Sequence, residues 1–125
     1  MKQMQDGGAF PRETQIFEAD SPAGILKWNL LWGEIPFLEL LYIEEGFRGR
    51  GIGSRSLMEW ETDLRKAGFE AALVSTRADE TGQHFFRKSG YLDCGTLHLR
   101  EINGQEAEEL FLYKKLKENF IGRKV

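Results

Sequence analysis

The chain has a single cysteine, Cys94, in 125 residues, so no disulfide can form within it. A lone thiol favours a reducing compartment, and the protein is expected in the cytoplasm. Long apolar runs are also missing. The longest, such as Leu40 to Ile43, are far too short for a membrane span, and no stretch has the pattern of a signal peptide. An excess of positive charge is absent as well. The formal net charge is −3, which argues against whole-molecule attraction to nucleic acid. Internal repeats, low-complexity tracts and domain linkers are not found, and no metal site is read.

What is there is a globular mixture. The hydrophobic fraction is 41% and the charged fraction 30%, enough for one domain with one core. Residues 1–14, with Gly7, Gly8 and Pro11, read as an irregular start. Gln15 to Asp20 reads as a short strand. Ser21-Pro22-Ala23-Gly24 reads as a turn, followed by a strand over Ile25 to Trp32. Gly33-Glu34-Ile35-Pro36 breaks the pattern. Phe37 to Ile43 is nearly continuous apolar sequence, as expected of a central strand covered on both faces.

The period then changes. Gly53, Leu57, Trp60, Leu64 and Ala67 share helical spacing and predict a helix with one apolar stripe. Glu59, Glu61, Asp63 and Arg65 fall elsewhere on it and read as solvated. Gly68 stops the helix. Ala71 to Thr76 reads as a buried strand, and Asp79 as the cap of a second helix that ends at Gly90. Tyr91 to Ile102 and Leu110 to Leu116 read as strands joined by a hairpin at Asn103-Gly104. The order is β-β-β-α-β-α-β-β, over residues 15–116, with a basic tail at 117–125.

The segment with the most chemistry is Arg48-Gly49-Arg50-Gly51-Ile52-Gly53, which joins a buried strand directly to a helix. A helix start leaves four backbone N–H groups unpaired and carries about half a positive charge. The glycines let an anion approach the backbone, and Arg48 and Arg50 add charge beside it. Arg55 completes a basic cluster. The pattern suits a pyrophosphate. It lacks the Gly-Lys-Ser/Thr of a P-loop, and its G-x-G-x-G spacing is not the G-x-G-x-x-G of dinucleotide folds. The alternative is a Gly-rich turn that serves only tight strand-to-helix packing.

Leu41-Tyr42-Ile43 followed by Arg48-Gly49-Arg50-Gly51-Ile52-Gly53 resembles the acetyl-CoA signature of the GNAT superfamily of N-acetyltransferases. Asp79, Gly82 and Phe85-Phe86-Arg87-Lys88-Ser89-Gly90-Tyr91 resemble the family's later helix, which usually reads Asn, Ala, Phe-Tyr, then Gly-Phe. The resemblance covers roughly residues 15–116. It implies an α/β fold, a mixed and mainly antiparallel sheet with flanking helices, and transfer of acetyl from acetyl-CoA to a primary amine of a small molecule or peptide. Residue by residue, it implies that Leu41, Tyr42 and Ile43 flank the pantetheine and that Arg48, Gly49, Arg50, Gly51, Ile52, Gly53 and Ser54 hold the phosphates. Asp79 and Phe86 would lie near the cofactor arm.

Two departures stand out. Phe86 occupies the place of a family tyrosine that protonates the leaving thiolate, and it has no proton to give. Most of the family's first strand and two helices is lacking before Gln15, with Met1 to Asp6 as the one candidate remnant of such a helix, so a short member or a fragment is expected. The uncovered sheet then predicts a homodimer. A general base is needed, and Glu39 is the candidate. Strand alternation puts it on one face with Phe37 and Leu41. The alternative is that Glu39 pairs with a neighbour such as Lys27. A different class of function, a non-catalytic acyl-CoA-binding module or sensor, would suit Phe86. His84 reads as a surface histidine, Glu44 and Glu45 as loop charges, Trp28, Trp32 and Trp60 as core or interface, and Cys94 as a small buried residue.

Overall fold

The computed structural model describes residues 11–117. The expected irregular start up to Phe10, and the basic tail beyond Lys117, lie outside those residues. Six strands form one sheet in the order β1-β2-β3-β4-β6-β5. They are β1 (Glu13–Glu18), β2 (Ser21–Leu31), β3 (Ile35–Ile43), β4 (Ala71–Arg77), β5 (Leu92–Leu97) and β6 (Glu109–Lys115). Only β3 and β4 run parallel; the other neighbours are antiparallel. The mixed sheet with α1 (Ile52–Lys66) and α2 (Gly82–Lys88) is the expected α/β fold.

Both helices pack on one face. Leu57, Trp60 and Leu64 of α1 and Phe86 of α2 share a single buried cluster with Leu26, Trp28, Leu38, Val74 and Leu112. Trp28 and Trp60 meet edge to face at 6.0 Å. Leu64, Val74 and Leu112 are fully enclosed, and burying each side chain is worth about 1.5–3 kcal/mol. Leu57, Trp60 and Leu64 of the helical stripe read from the sequence are therefore the core face of α1, whereas Ala67, read into the same stripe, is the exposed C-cap residue. On the far face, Phe37 stacks on Phe111 at 6.3 Å, and both are only half-buried. The expectation that β3 is covered on both faces is thus corrected, because its residues alternate between buried and accessible.

Several local readings change. Ser21 to Gly24 is not a turn but the start of β2. The chain reverses one step earlier, at Ala19 with φ 55°. Gly24 is a glycine for another reason: a Cβ there would collide with the Tyr42 carbonyl oxygen across the β2–β3 pair. Trp32 leaves the strand and sits in the next turn, 80% exposed. The strand read as Tyr91 to Ile102 stops at Leu97, and a short α3 (Arg100–Asn103) follows. Gly104, at φ 81°, ends that helix rather than forming a two-residue hairpin. Cys94 is exposed because it lies on the outermost strand, β5.

Candidate functional site

The sheet is split where β3 meets β4. Their parallel pairing covers only Phe37↔Leu73 and Leu38↔Val74. Beyond Leu38, β3 stays with β2 and parts from β4. The cause is visible in the register. Leu38 faces Trp28 and Leu40 faces Lys27, so Glu39 is one residue too many. Such a bulge bends the strand and reverses its alternation. Before it, Pro36 and Leu38 point into the core; after it, Leu41 and Ile43 pack against the core while Leu40 and Tyr42 are exposed. Glu39 therefore does not share one face with Phe37 and Leu41. It is exposed, and among the described residues it makes no ion pair with Lys27.

A cleft of about 470 Å³ opens from this split. One side is Leu41, Tyr42 and Ile43 of β3. The end is the turn through Phe47, Arg48 and Gly49 and the first residues of α1, Gly51 to Ser54. The other side is Thr81, Gly82, Phe85 and Phe86 of α2. Gly49 and Gly51 have φ 78° and 80°, a region that side chains with a Cβ resist. This geometry turns the chain sharply enough to start α1 at the cleft. Gly51 is the N-cap and brings no side-chain cap. The first helical bond runs from the Arg55 N–H to the Gly51 carbonyl, so the N–H groups of Ile52, Gly53 and Ser54 project from the helix end. The first turn carries no acidic residue to compete for them.

The arginines brace the turn. Arg48 Nε donates to the Ile43 carbonyl oxygen at 2.7 Å, and its guanidinium lies over the Tyr42 ring. Arg50 donates to the Gly46 carbonyl oxygen at 3.3 Å and lies over the Phe47 ring. Arg55 turns away to Glu18. These contacts fold positive charge around the glycine turn rather than leaving it extended in water.

Most residues assigned from the sequence line the cleft: Leu41, Tyr42, Ile43, Arg48, Gly49, Gly51, Ile52, Gly53, Ser54 and Phe86. Ile52 buries its side chain in the core, so it offers the cleft its backbone. Arg50, Glu39 and Asp79 are not in the lining. Asp79 does not cap α2 either. Thr81 is the N-cap residue, and Asp79 is bound by Arg77 at 2.9 Å and 3.1 Å, which holds its carboxyl below the usual range. Phe47, Thr81, Gly82 and Phe85 also line the cleft, beyond the residues that the sequence assigns to the site. The apolar side of α2 signalled Phe85, but only the folded turn brings Phe47 in.

Glu61 also corrects the sequence reading. It is 2% exposed, and it accepts hydrogen bonds from the Tyr91 hydroxyl at 2.8 Å and from Lys114 Nζ at 3.0 Å. Both donors come from elements distant in sequence, so helix periodicity alone could not reveal them. Burial, and then the Glu61 carboxylate, push the Tyr91 hydroxyl far above its usual range, so it stays a donor. Among the described residues, no group of three or more His, Cys, Asp or Glu is placed to hold a metal ion.

Residues 3–91 match the sequence profile of the acetyltransferase (GNAT) family. Solved structures share the fold. A GNAT family acetyltransferase from Elizabethkingia anophelis with acetyl-CoA bound superposes with a TM-score of 0.73 at 16% identity, over 82% of this chain and 74% of that one. An acetyltransferase from Bacillus subtilis in complex with CoA gives 0.74 at 17% identity, over 86% and 80%. A ribosomal-protein-alanine N-acetyltransferase from Brucella melitensis gives 0.71 at 20% identity, over 82% and 67%. Among curated proteins none matches the chain in sequence.

Proposed function

The chain belongs to the acetyltransferase (GNAT) family, whose profile covers residues 3–91, and from that premise we propose that its acetyl-CoA lies in the cleft between the bent half of β3 and α2. The observation that carries this reading is the junction of two unpaired backbone edges. One is β3 beyond Leu38, released from β4. The other is the first turn of α1, entered through Gly51 at φ 80°. An extended amide chain such as pantetheine pairs with the first by β-type hydrogen bonds. A pyrophosphate suits the second, with Arg48 and Arg50 held beside it. Phe85 and Phe86 supply an apolar wall for the thioester arm.

Acetyl transfer needs an uncharged amine against the thioester carbonyl. The amine nitrogen attacks the carbonyl carbon, the C–S bond breaks, and coenzyme A leaves as its thiol or thiolate. The proton lost by the amine goes to a carboxylate, directly or through water. Glu39 is our choice for that acceptor. It is solvated, unpaired with Lys27, and sits at the bulge where the cleft opens. The amine is that of a small molecule or peptide; the Brucella neighbour, named for a ribosomal-protein alanine, supports the peptide class.

Gly53 offers a clean test. Its Cβ would stand 3.6 Å from Phe85 Cζ and 3.7 Å from Ile43 Cγ1, so Gly53→Ala fits without a clash. In a helix, Ala for Gly is favourable by up to about 1 kcal/mol. The methyl nevertheless enters the place proposed for the phosphates. Calorimetry should show coenzyme A binding weakened by about tenfold or more, about 1.4 kcal/mol, with no fall in melting temperature. Unchanged affinity would move the cofactor elsewhere.

A second reading, acyl-CoA binding without transfer, is favoured by Phe86. This residue is 8% exposed, packs edge-on to Phe85 and Tyr91, and cannot protonate a thiolate. Thiol release measured with a panel of amines separates the two. As finer points, we read the protein as cytoplasmic, supported by the lone free Cys94, and as a homodimer, supported by Leu92 and Leu97 at 59% and 46% exposure on the outermost strand.

A further inference from the structure

The cleft has one wall that cannot hold its own position. Helix α2 has seven residues and buries only Phe86, whereas isolated helices need roughly 12–15 residues to be even marginally stable in water. Yet Phe85 and Phe86 of this helix line the cleft, and Phe85 lies beside Gly53.

The far end of α2 is tied to α1 by a buried polar group. Lys114 Nζ bridges Glu61 Oε1 and the carbonyl oxygen of Ser89, both at 3.0 Å. Ser89 closes α2, and its hydroxyl donates to the Phe85 carbonyl oxygen at 2.9 Å. The Tyr91 hydroxyl donates to Glu61 Oε2 at 2.8 Å, its backbone N–H donates to the Phe86 carbonyl oxygen at 3.0 Å, and its ring packs on Phe86 at 5.7 Å. Glu61 thus receives two donors that both hold the last turn of α2. It lies on the same helix as Gly53, which is next to Phe85.

We propose that Glu61 is a positioning residue that, through Lys114 and Tyr91, holds α2 against α1 and so sets the width of the acetyl-CoA cleft. The cleft's identity as the acetyl-CoA site rests on the reading given above; the tie itself does not. Burying a paired carboxylate is costly and often no more stabilising than an apolar substitute. A geometric role for the pair is consistent with that cost.

Removing one partner alone strands a buried charge, which disturbs stability as well as position. The double variant Glu61→Gln with Lys114→Met strands none, and Tyr91→Phe removes the other donor while keeping the ring. Two measurements decide. The first is hydrogen exchange of the backbone amides over residues 82–91 in the ligand-free protein. Exchange should quicken about tenfold in both variants, the equivalent of losing one charge-assisted hydrogen bond, while α1 and β4 keep their protection. The second is calorimetry with coenzyme A well below the melting temperature, where affinity should fall by a similar factor. Unchanged exchange over 82–91 would overturn the tie, and faster exchange with unchanged affinity would overturn its control of the cleft. A wild-type chain that binds no coenzyme A would instead overturn the cofactor reading, and the exchange result would still decide the tie.

Discussion

Gly24 of β2 lies so close to the backbone of Tyr42 in β3 that a single methyl group on it would strike the Tyr42 carbonyl oxygen. Gly24 is buried and stands opposite Ile43 in the register, at the end of β3 that forms the cleft. The obstacle is backbone, which cannot swing aside as a side chain can. Gly24→Ala is therefore expected to destabilise the fold by about 1–3 kcal/mol, as overpacking does. It should also weaken coenzyme A binding by displacing Tyr42 and Ile43. Chemical denaturation and calorimetry on the purified variant check both. A variant as stable as the parent would show that the two strands part without cost.

Tyr91 predicts how stability depends on alkaline pH. Its hydroxyl titrates far higher in the folded chain than in the unfolded one, because burial and Glu61 oppose its ionisation. Above the ordinary tyrosine value of about 10, the unfolded chain loses this proton while the folded chain keeps it. The contribution is fully present below that value and is lost as pH rises, by about 1.4 kcal/mol per pH unit. Tyr91→Phe should lower stability at neutral pH and flatten the alkaline limb. Urea midpoints from pH 8 to 11 with the same slope in both proteins would show that Tyr91 ionises freely.

Glu39 separates binding from chemistry. Glu39→Gln is exposed and isosteric, so the bulge and the cleft should survive. If the carboxylate takes the amine proton, kcat should fall by about 10²- to 10⁴-fold with KM for acetyl-CoA little changed. Equal losses in both would indicate a structural role, and full activity would remove Glu39 from the mechanism.

The oligomeric reading is open to light scattering. Among the described residues, Phe17, Trp32 and Leu92 expose half or more of their surface, and β1 and β5 are the outer strands of the sheet. Exposed edges of this kind tend to be covered. At micromolar concentration the expected mass is twice 14.4 kDa. A monomer at every concentration that still binds coenzyme A would show that the site needs no second copy.

The sequence by itself determined the order of the six strands and of α1 and α2 among them, most of the core stripe of α1, and the glycine turn after Ile43. All three rest on local rules: helical spacing, the φ freedom of glycine, and the unpaired N–H groups of a helix start. Other features depended on residues far apart in the chain. The bulge at Glu39 arises from registering β3 on β2, and it reversed the alternation that had placed Glu39 with Phe37 and Leu41. Glu61 looks like a surface charge on a helical wheel, and it is buried only because Tyr91 and Lys114 reach it from beyond α2 and from β6. Asp79 looks like a helix cap, but Arg77 claims it. The split between β3 and β4 belongs to the same group. Propensity and spacing describe a strand and its neighbours along the chain, whereas the partner that a strand loses is set by packing across the sheet.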